Sequence, residues 1–353
     1  METIRNLKKV LFINFGGIGD EILFFPTLDD FKKSYPDCEI HLLLEPRSSG
    51  CASLTHTIDR IIEYDVKIAS RAKAFFDLLF IIKKGGYDAV ISAGSNMFIS
   101  LLLFLSGVKI RVGYDSGPLS RKLLSTAVAL NKAQYAANMY HDLLKGAGID
   151  REAPLPEVVV NSEALAKADQ MLGEKDKPHI VIHPGVSSLS IKKNIIKSWP
   201  EQNWAELICS LLKSNKFNVV LAGGPDDEST ILEILSVIEN KGVDTSNLVN
   251  LYGKTRSLVE LAALIKQSQL LLCVDSAPMH IGVGVNTKIV AIFGPTDEKK
   301  LLPPNKDFIA LKNIDLTCRP CLWDKQNQVC HHTSCLNVSV QAMLDAVDAQ
   351  QIH

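Results

Sequence analysis

No stretch of this 353-residue chain is apolar for long enough to span a bilayer. The longest, from Met97 to Leu105, is about half of what a spanning helix requires. It reads as a buried helix, with contact at a membrane surface as the second reading. The opening Met1 to Phe15 carries a short apolar run but no small-residue cleavage site, so no export signal is read there. A cytoplasmic location follows, in which the eight cysteines are reduced thiols or metal ligands. An excess of one charge sign is also missing. Lys and Arg number 38 against 39 Asp and Glu, and the first 160 residues hold 19 and 18. That evenness argues against a sequence-blind nucleic-acid binder and leaves any anionic ligand to local groups. With 46% hydrophobic and 22% charged residues the chain is no disordered polymer, and its length exceeds what one core usually supports.

What is present is a pattern given twice. Lys8 to Gly17 reads as a buried strand running into a glycine turn, and Lys177 to Gly185 repeats this about 170 residues later. Short Val/Ile/Leu runs follow each opening, at Glu39–Leu44 and Asp88–Ser92, then at Asn218–Ala222, Leu270–Val274 and Lys288–Phe293. Continuous apolar strands alternating with helical periods predict parallel sheets covered on both faces. The fold class is therefore α/β, with two Rossmann-like domains, residues 1–160 and 161–353, joined near Ala153–Pro156 or in the polar helix after it. Ligands in such sheets bind beyond the carboxyl ends of the strands, so the turns there are the candidate site.

The first turn, Gly16-Gly17-Ile18-Gly19-Asp20-Glu21, superficially matches a dinucleotide fingerprint, with Glu45 as its ribose acid. Ile22 occupies the third glycine position, however, and Asp20 brings negative charge to the helix end that a pyrophosphate would need. The alternatives for Asp20 are a capping residue or a fixed base facing a cleft. Pro26, farther on, either kinks the helix or marks its true first turn.

In the second half, His183-Pro184-Gly185-Val186-Ser187-Ser188 leaves a strand, and Lys197-Ser198-Trp199-Pro200 precedes a helix. Lys197 is either a solvated charge or a phosphate partner. Gly223 and Gly224 permit close backbone approach, and Asp226 beside them can accept bonds from ribose hydroxyls. In Asp275-Ser276-Ala277-Pro278-Met279-His280, Pro278 sits where a first helical turn needs no amide proton, and the free amides make an anion site without net charge. His280 beside that site is read as a ligand contact.

Taken in order with Arg111-Val112-Gly113-Tyr114 and Phe293-Gly294-Pro295-Thr296, these blocks resemble glycosyltransferase family 9, the ADP-heptose:lipopolysaccharide heptosyltransferases and their relatives. The resemblance implies a GT-B architecture whose two domains face an interdomain cleft. The first domain takes the acceptor and the second the nucleotide sugar, while a last helix near 338–347 returns toward the first. It implies inverting transfer of a heptose or similar sugar from ADP to a lipid-linked or oligosaccharide acceptor resembling the lipopolysaccharide core, with no cofactor required for catalysis. Asp20 matches the base and Lys197 the partner of the leaving diphosphate. Ser187, Ser188, Gly223, Gly224, Asp226, Asp275, Ser276, Ala277, Met279 and His280 fall in the donor site. Gly19, Arg47 and Arg111 are candidate acceptor contacts, the arginines being equally readable as surface ion pairs. Such an enzyme works in the cytoplasm, with peripheral contact at the inner membrane face. The alternatives are a non-catalytic or an epimerase-like nucleotide-sugar-binding protein of the same fold. Ala277 stands where the family commonly has Gly, and residues 189–196 form a somewhat long insert.

Cys318, Cys321, Cys330 and Cys335 gather four thiols into eighteen residues, a spacing that suits a structural zinc or iron site, with reduced thiols or disulfides as the alternatives. Cys38, Cys51, Cys209 and Cys273 lie on apolar backgrounds and read as core thiols.

Overall fold

The computed structural model describes residues 7–173, 176–193, 195–322 and 333–352. The chain divides into two compact units, Met1–Glu157 and Val158–His353.

The first unit holds six strands, β1 (Lys9–Ile13), β2 (Glu39–Leu44), β3 (Arg60–Glu63), β4 (Ala89–Ser92), β5 (Ile110–Tyr114) and β6 (Thr126–Val128). Its helices are α1 (Ile18–Ser34), α2 (Arg71–Gly85), α3 (Met97–Leu105), α4 (Pro118–Leu123) and α5 (Ala136–His141). All strand pairs are parallel, in the order β3-β2-β1-β4-β5-β6. This is a doubly wound sheet whose order reverses between β1 and β4. Four consecutive residues of β1, Val10 to Ile13, are at most 1% exposed, so helices cover both faces as the unbroken apolar run predicts.

Two local expectations needed the structure. Pro26 neither starts α1 nor ends it, since the helix runs on for eight residues beyond it. An interior proline costs about 3 kcal/mol. Burying each of Phe24, Phe25, Leu28 and Phe31 returns about 1.5–3 kcal/mol, so packing wins. The run Met97–Leu105 is a helix, N-capped by Asn96, whose side chain accepts from the Ile99 amide at 3.1 Å. It is buried on one side only. Ile99, Leu102 and Leu103 enter the core, whereas Leu101, Phe104 and Leu105 are 40%, 46% and 43% exposed.

The second unit holds β7 (His179–His183), β8 (Asn218–Leu221), β9 (Leu248–Asn250), β10 (Leu270–Val274), β11 (Lys288–Phe293) and β12 (Phe308–Lys312). Its helices are α6 (Ser162–Leu172), α7 (Ser188–Lys192), α8 (Glu201–Ser214), α9 (Glu228–Asn240), α10 (Leu258–Lys266), α11 (Ala277–Gly284), α12 (Glu298–Leu301) and α13 (Val340–Ala349). The sheet order β12-β11-β10-β7-β8-β9 repeats the first strand for strand and reverses between β7 and β10. Its core contains the T-shaped pair Trp199–Trp204, with centroids 4.9 Å apart. The Trp199 indole donates to the Val338 carbonyl at 3.1 Å, and Met343, Ala346 and Val347 of α13 enter the same core. The chain's last helix is thus part of this unit's interior. The insert before Lys197 forms α7, capped by Ser187, whose hydroxyl accepts from the Ser190 amide.

Candidate functional site

Each unit places chemistry-bearing side chains where its sheet order reverses. In the first, β1 leads into Gly16 and Gly17, and α1 begins at once. The Gly17 amide donates to Asp20 Oδ2 at 2.8 Å, fixing the carboxylate over the helix start. Tyr140 of α5 donates its hydroxyl to Asp20 Oδ1 at 3.4 Å, while its ring packs edge-on against Phe24. Burial pushes the Tyr140 phenol well up and the Asp20 charge adds to this, so the phenol keeps its proton and acts as a donor. Gly16 is obligatory: a Cβ there would stand 2.2 Å from the Asp20 Cβ. Ser48 Oγ closes the turn by donating to the Gly16 carbonyl at 2.8 Å. The only groups bonded to the Asp20 carboxylate among the described residues are neutral donors.

Next to it Glu21 is fully buried, and neither carboxyl oxygen meets a partner with hydrogen-bond geometry. Burial drives this carboxyl well above the usual range and the Asp20 charge pushes the same way; Gly16, Asn14 and Arg47 oppose without winning. Burial thus favours the protonated form of Glu21 over the charged one. Ile22 is fully buried where a dinucleotide fold would need glycine, and Glu45 is taken up by Arg47 and Lys67, both at 2.5 Å.

In the second unit the turn after β10 carries the main cluster. Lys197 Nζ lies 2.7 Å from Asp275 Oδ2 and 3.4 Å from the Asp275 carbonyl, while Thr296 Oγ1 donates to Oδ2 at 2.6 Å. Burial pushes the Asp275 carboxyl up, but Lys197, Thr296 and His280 outweigh it and hold it below the ordinary value. Lys197 keeps 15% exposure against 3% for Asp275, so the acid is the anchor and the ammonium the reachable end. Ser276 caps α11 without a side-chain bond to the helix; its hydroxyl donates to the Val274 carbonyl at 3.3 Å. Pro278 has no amide proton and the Met279 amide donates to the Ser276 carbonyl at 3.1 Å, which leaves the Ala277 amide of the first turn for another acceptor. Met279 and His280 are buried in the same helix.

Across the reversal from β10, the turns after β7 and β8 are tied together. The Ser188 amide donates to Asp226 Oδ2 at 3.0 Å, and the Gly224 amide to Asp227 Oδ2 at 2.8 Å. Asp227 also lies 3.7 Å from His183 Nε2. A Cβ at Gly185 would fall 1.7 Å from Asp227 Oδ1. Asp226 thus stays at the rim while Asp227 builds the turn beneath Gly223.

The arginines differ in how they are occupied. Arg47 pairs with Glu45 and stands beside Gly17, where a Cβ would be 3.2 Å from its Nη1. Arg111 donates to the carbonyls of Val108, Lys109 and Leu123, which ties up its fork in backbone. The four-thiolate spacing falls partly outside the described residues, which do not include Cys330. Cys335 is drawn into the second core with Leu336 and Val338, and Cys318 is exposed. No group of His, Cys, Asp or Glu suited to a metal exists among the described residues, and Cys330 lies outside them. The described part of the segment braces the β11 turn: Arg319 donates to the Gly294 and Thr296 carbonyls, both at 3.0 Å, and the Cys321 amide to the Pro295 carbonyl at 2.9 Å.

Sequence reasoning missed Tyr140, which lies 120 residues from Asp20 and carries no motif. It quoted Thr296 within a block without giving it a role, and chose Asp226 without seeing that its neighbour holds the turn.

Two doubly wound units with polar turns at both reversal points define the GT-B class of fold. A family model described as glycosyltransferase family 9 (heptosyltransferase) matches residues 78–332, and the chain belongs to that family and is a glycosyltransferase. It is similar to lipopolysaccharide heptosyltransferase 3 of Escherichia coli, 28% identical over 296 residues that make up 79% of this chain and 81% of the relative. Among solved structures, a family 9 glycosyltransferase from Veillonella parvula superposes with a TM-score of 0.77 at 22% identity, covering 99% and 98% of the two chains. The E. coli ADP-heptose lps heptosyltransferase II does so with 0.73 at 20%, covering 97% and 98%. At those identities the structures establish the shared fold.

Proposed function

We propose that the protein transfers a heptose, with inversion, from ADP-heptose to a hydroxyl of a lipid-linked glycan of the lipopolysaccharide-core type. The observation that carries this reading is the Lys197–Asp275–Thr296 cluster beside the start of α11. Glycosyl transfer builds positive charge at the anomeric carbon and negative charge on the departing diphosphate. An ammonium group and fixed amides, kept from water, stabilise that departing charge. In this reading Asp20 takes the proton as the acceptor oxygen bonds to the anomeric carbon, and the bond to the diphosphate breaks on the opposite side. One unit then supplies the base and the other the leaving-group site.

Asp226 with Gly223, Gly224, Ser187 and Ser188 would receive the ribose and nucleotide, and Met279 and His280 would line the donor pocket. Gly19 and Arg47 are the acceptor-side candidates; Arg111, held by three carbonyls, would contribute by shaping its loop. Structures of a related E. coli heptosyltransferase with ADP and with ADP-2-deoxy-2-fluoro heptose support the donor. No described helix is long and apolar enough to cross a membrane, so a lipid-linked acceptor would be met from the surface.

The test is ADP release with ADP-heptose and a core oligosaccharide, for wild type, Asp20→Ala and Lys197→Ala. Loss of turnover with donor binding retained in Asp20→Ala supports the base. Undiminished turnover in that variant removes it from the mechanism. Donor binding without transfer to any core acceptor would make the chain a nucleotide-sugar-binding protein instead.

A further inference from the structure

We propose that the outer face of α2, α3 and α4 is a docking surface for an anionic lipid bilayer. The three helices follow one another in the first unit, α2 touching α3 through the edge-on Phe75–Phe98 pair, 5.1 Å between centroids, and α3 packing on α4. Their inner faces, Leu78 and Ile82 of α2 with Ile99, Leu102 and Leu103 of α3, share one core on one side of the sheet. Their outer faces therefore look away from that core together. On them Phe76 and Phe80 are 66% and 64% exposed, Leu101, Phe104 and Leu105 are nearly half exposed, and Leu119 is 52% exposed. Six large apolar side chains on one side of a small unit are more than scattered surface residues, and such a patch marks an interaction site.

Charge selects the occupant. Residues 71–123 hold eight Lys and Arg against three Asp and Glu, in a chain whose net charge is −1. Two of those acids are engaged, Asp77 by Lys73 at 2.5 Å and Asp115 by Arg121 at 2.6 Å. Asp88 accepts from the Lys8 and Lys9 amides. Lys84 stands over the Phe80 ring at 5.8 Å and Arg111 over Phe104 at 5.7 Å, so cations sit directly above the apolar side chains. Rings and leucines that reach the acyl boundary, with cations beside them at headgroup depth, form the pattern of an interfacial surface. A second copy of the chain fits worse. A two-fold contact brings the same patch face to face, and here that sets one basic surface against another. The surface stands on its own residues, and its purpose rests on the lipid-linked acceptor of the proposed function.

The experiment is co-sedimentation with vesicles of phosphatidylcholine alone or mixed with phosphatidylglycerol. It uses wild type, F76S/F80S and K83E/K84E, with melting curves to verify the fold and transfer to a lipid-free oligosaccharide measured in parallel. Wild type is expected to bind the mixed vesicles and to lose them as salt rises. K83E/K84E should weaken binding by more than about 25-fold, at about fivefold for each basic residue. F76S/F80S should weaken it about tenfold or more, with transfer to the lipid-free acceptor unchanged in both. Three results would overturn the proposal: no binding to mixed vesicles, equal binding by wild type and both variants, or a wild-type dimer that F76S/F80S splits. Loss of vesicle binding alone would leave the transfer reaction standing. Vesicle binding by a protein that transfers nothing would overturn the function and keep the surface.

Discussion

The two units share one strand order but treat the acid at their reversal points in opposite ways. Asp20 in the first is held by an amide and a phenol, both neutral, with a second carboxyl buried beside it whose burial pushes it well above the ordinary range. Asp275 in the second is held by an ammonium and a hydroxyl and sits below the ordinary range. An acid bonded only to neutral donors can still take a proton from a substrate. One locked to a cation cannot, but it fixes where that cation stands. The fold is common to both; the partners decide whether its acid is left open for the proposed role of base or fixed as an anchor.

The harshest way to test that contrast is Lys197→Ala. It removes the cation expected at the leaving diphosphate, about a 10²–10³-fold loss in kcat, and strands Asp275 in the core at a cost of about 3–5 kcal/mol. A denaturant titration and ADP release together read both effects, and an unchanged melting midpoint would contradict the anchor. Asp20→Ala should lose about 10²–10⁴-fold in kcat, as expected for a general base, while stability falls by only about 1 kcal/mol for the lost capping bond. Equal destabilisation in the two variants would erase the distinction between units.

Tyr140→Phe sharpens the comparison. Deleting one neutral donor should lower kcat about tenfold or less and leave donor KM unchanged, because the phenol touches the base and not the nucleotide. Glu21→Gln has the smallest effect at fixed pH and the clearest pH signature. The folded carboxyl keeps a proton that the unfolded chain has released above the ordinary carboxylate range. Stability therefore falls as pH rises, by about 1.4 kcal/mol per unit, from that range until the raised folded value is passed. Urea melts from pH 5 to 8 should show this slope in wild type and lose it in Glu21→Gln.

Much of the fold was legible because its rules are local. β10 and β11 occupy the very residues of two apolar runs, and continuous burial leaves no reading but strands covered on both sides. The first turn was legible too, since a Cβ at Gly16 would strike Asp20 just after it, whereas Gly185 clears Asp227, which belongs to the turn after β8. Helix α3 was read only by half. Eight apolar residues out of nine say helix, but which of them face water depends on the neighbours that Ile99 and Leu102 find. The spacing of the cysteine segment does not by itself decide between a metal site and plain thiols, and Cys330 lies outside the described residues. Cys335 followed Leu336 into the core.

Sequence alone determined the two repeated α/β units, the glycine turns and the acid and lysine types that end at them, because steric and periodic constraints act within a few residues. Tertiary structure decided the pairings: Tyr140 on Asp20, Lys197 on Asp275, and the outward turn of Phe76, Phe80 and Phe104. Those depend on which distant segments the sheet order brings side by side, and on where burial strips water from a charge.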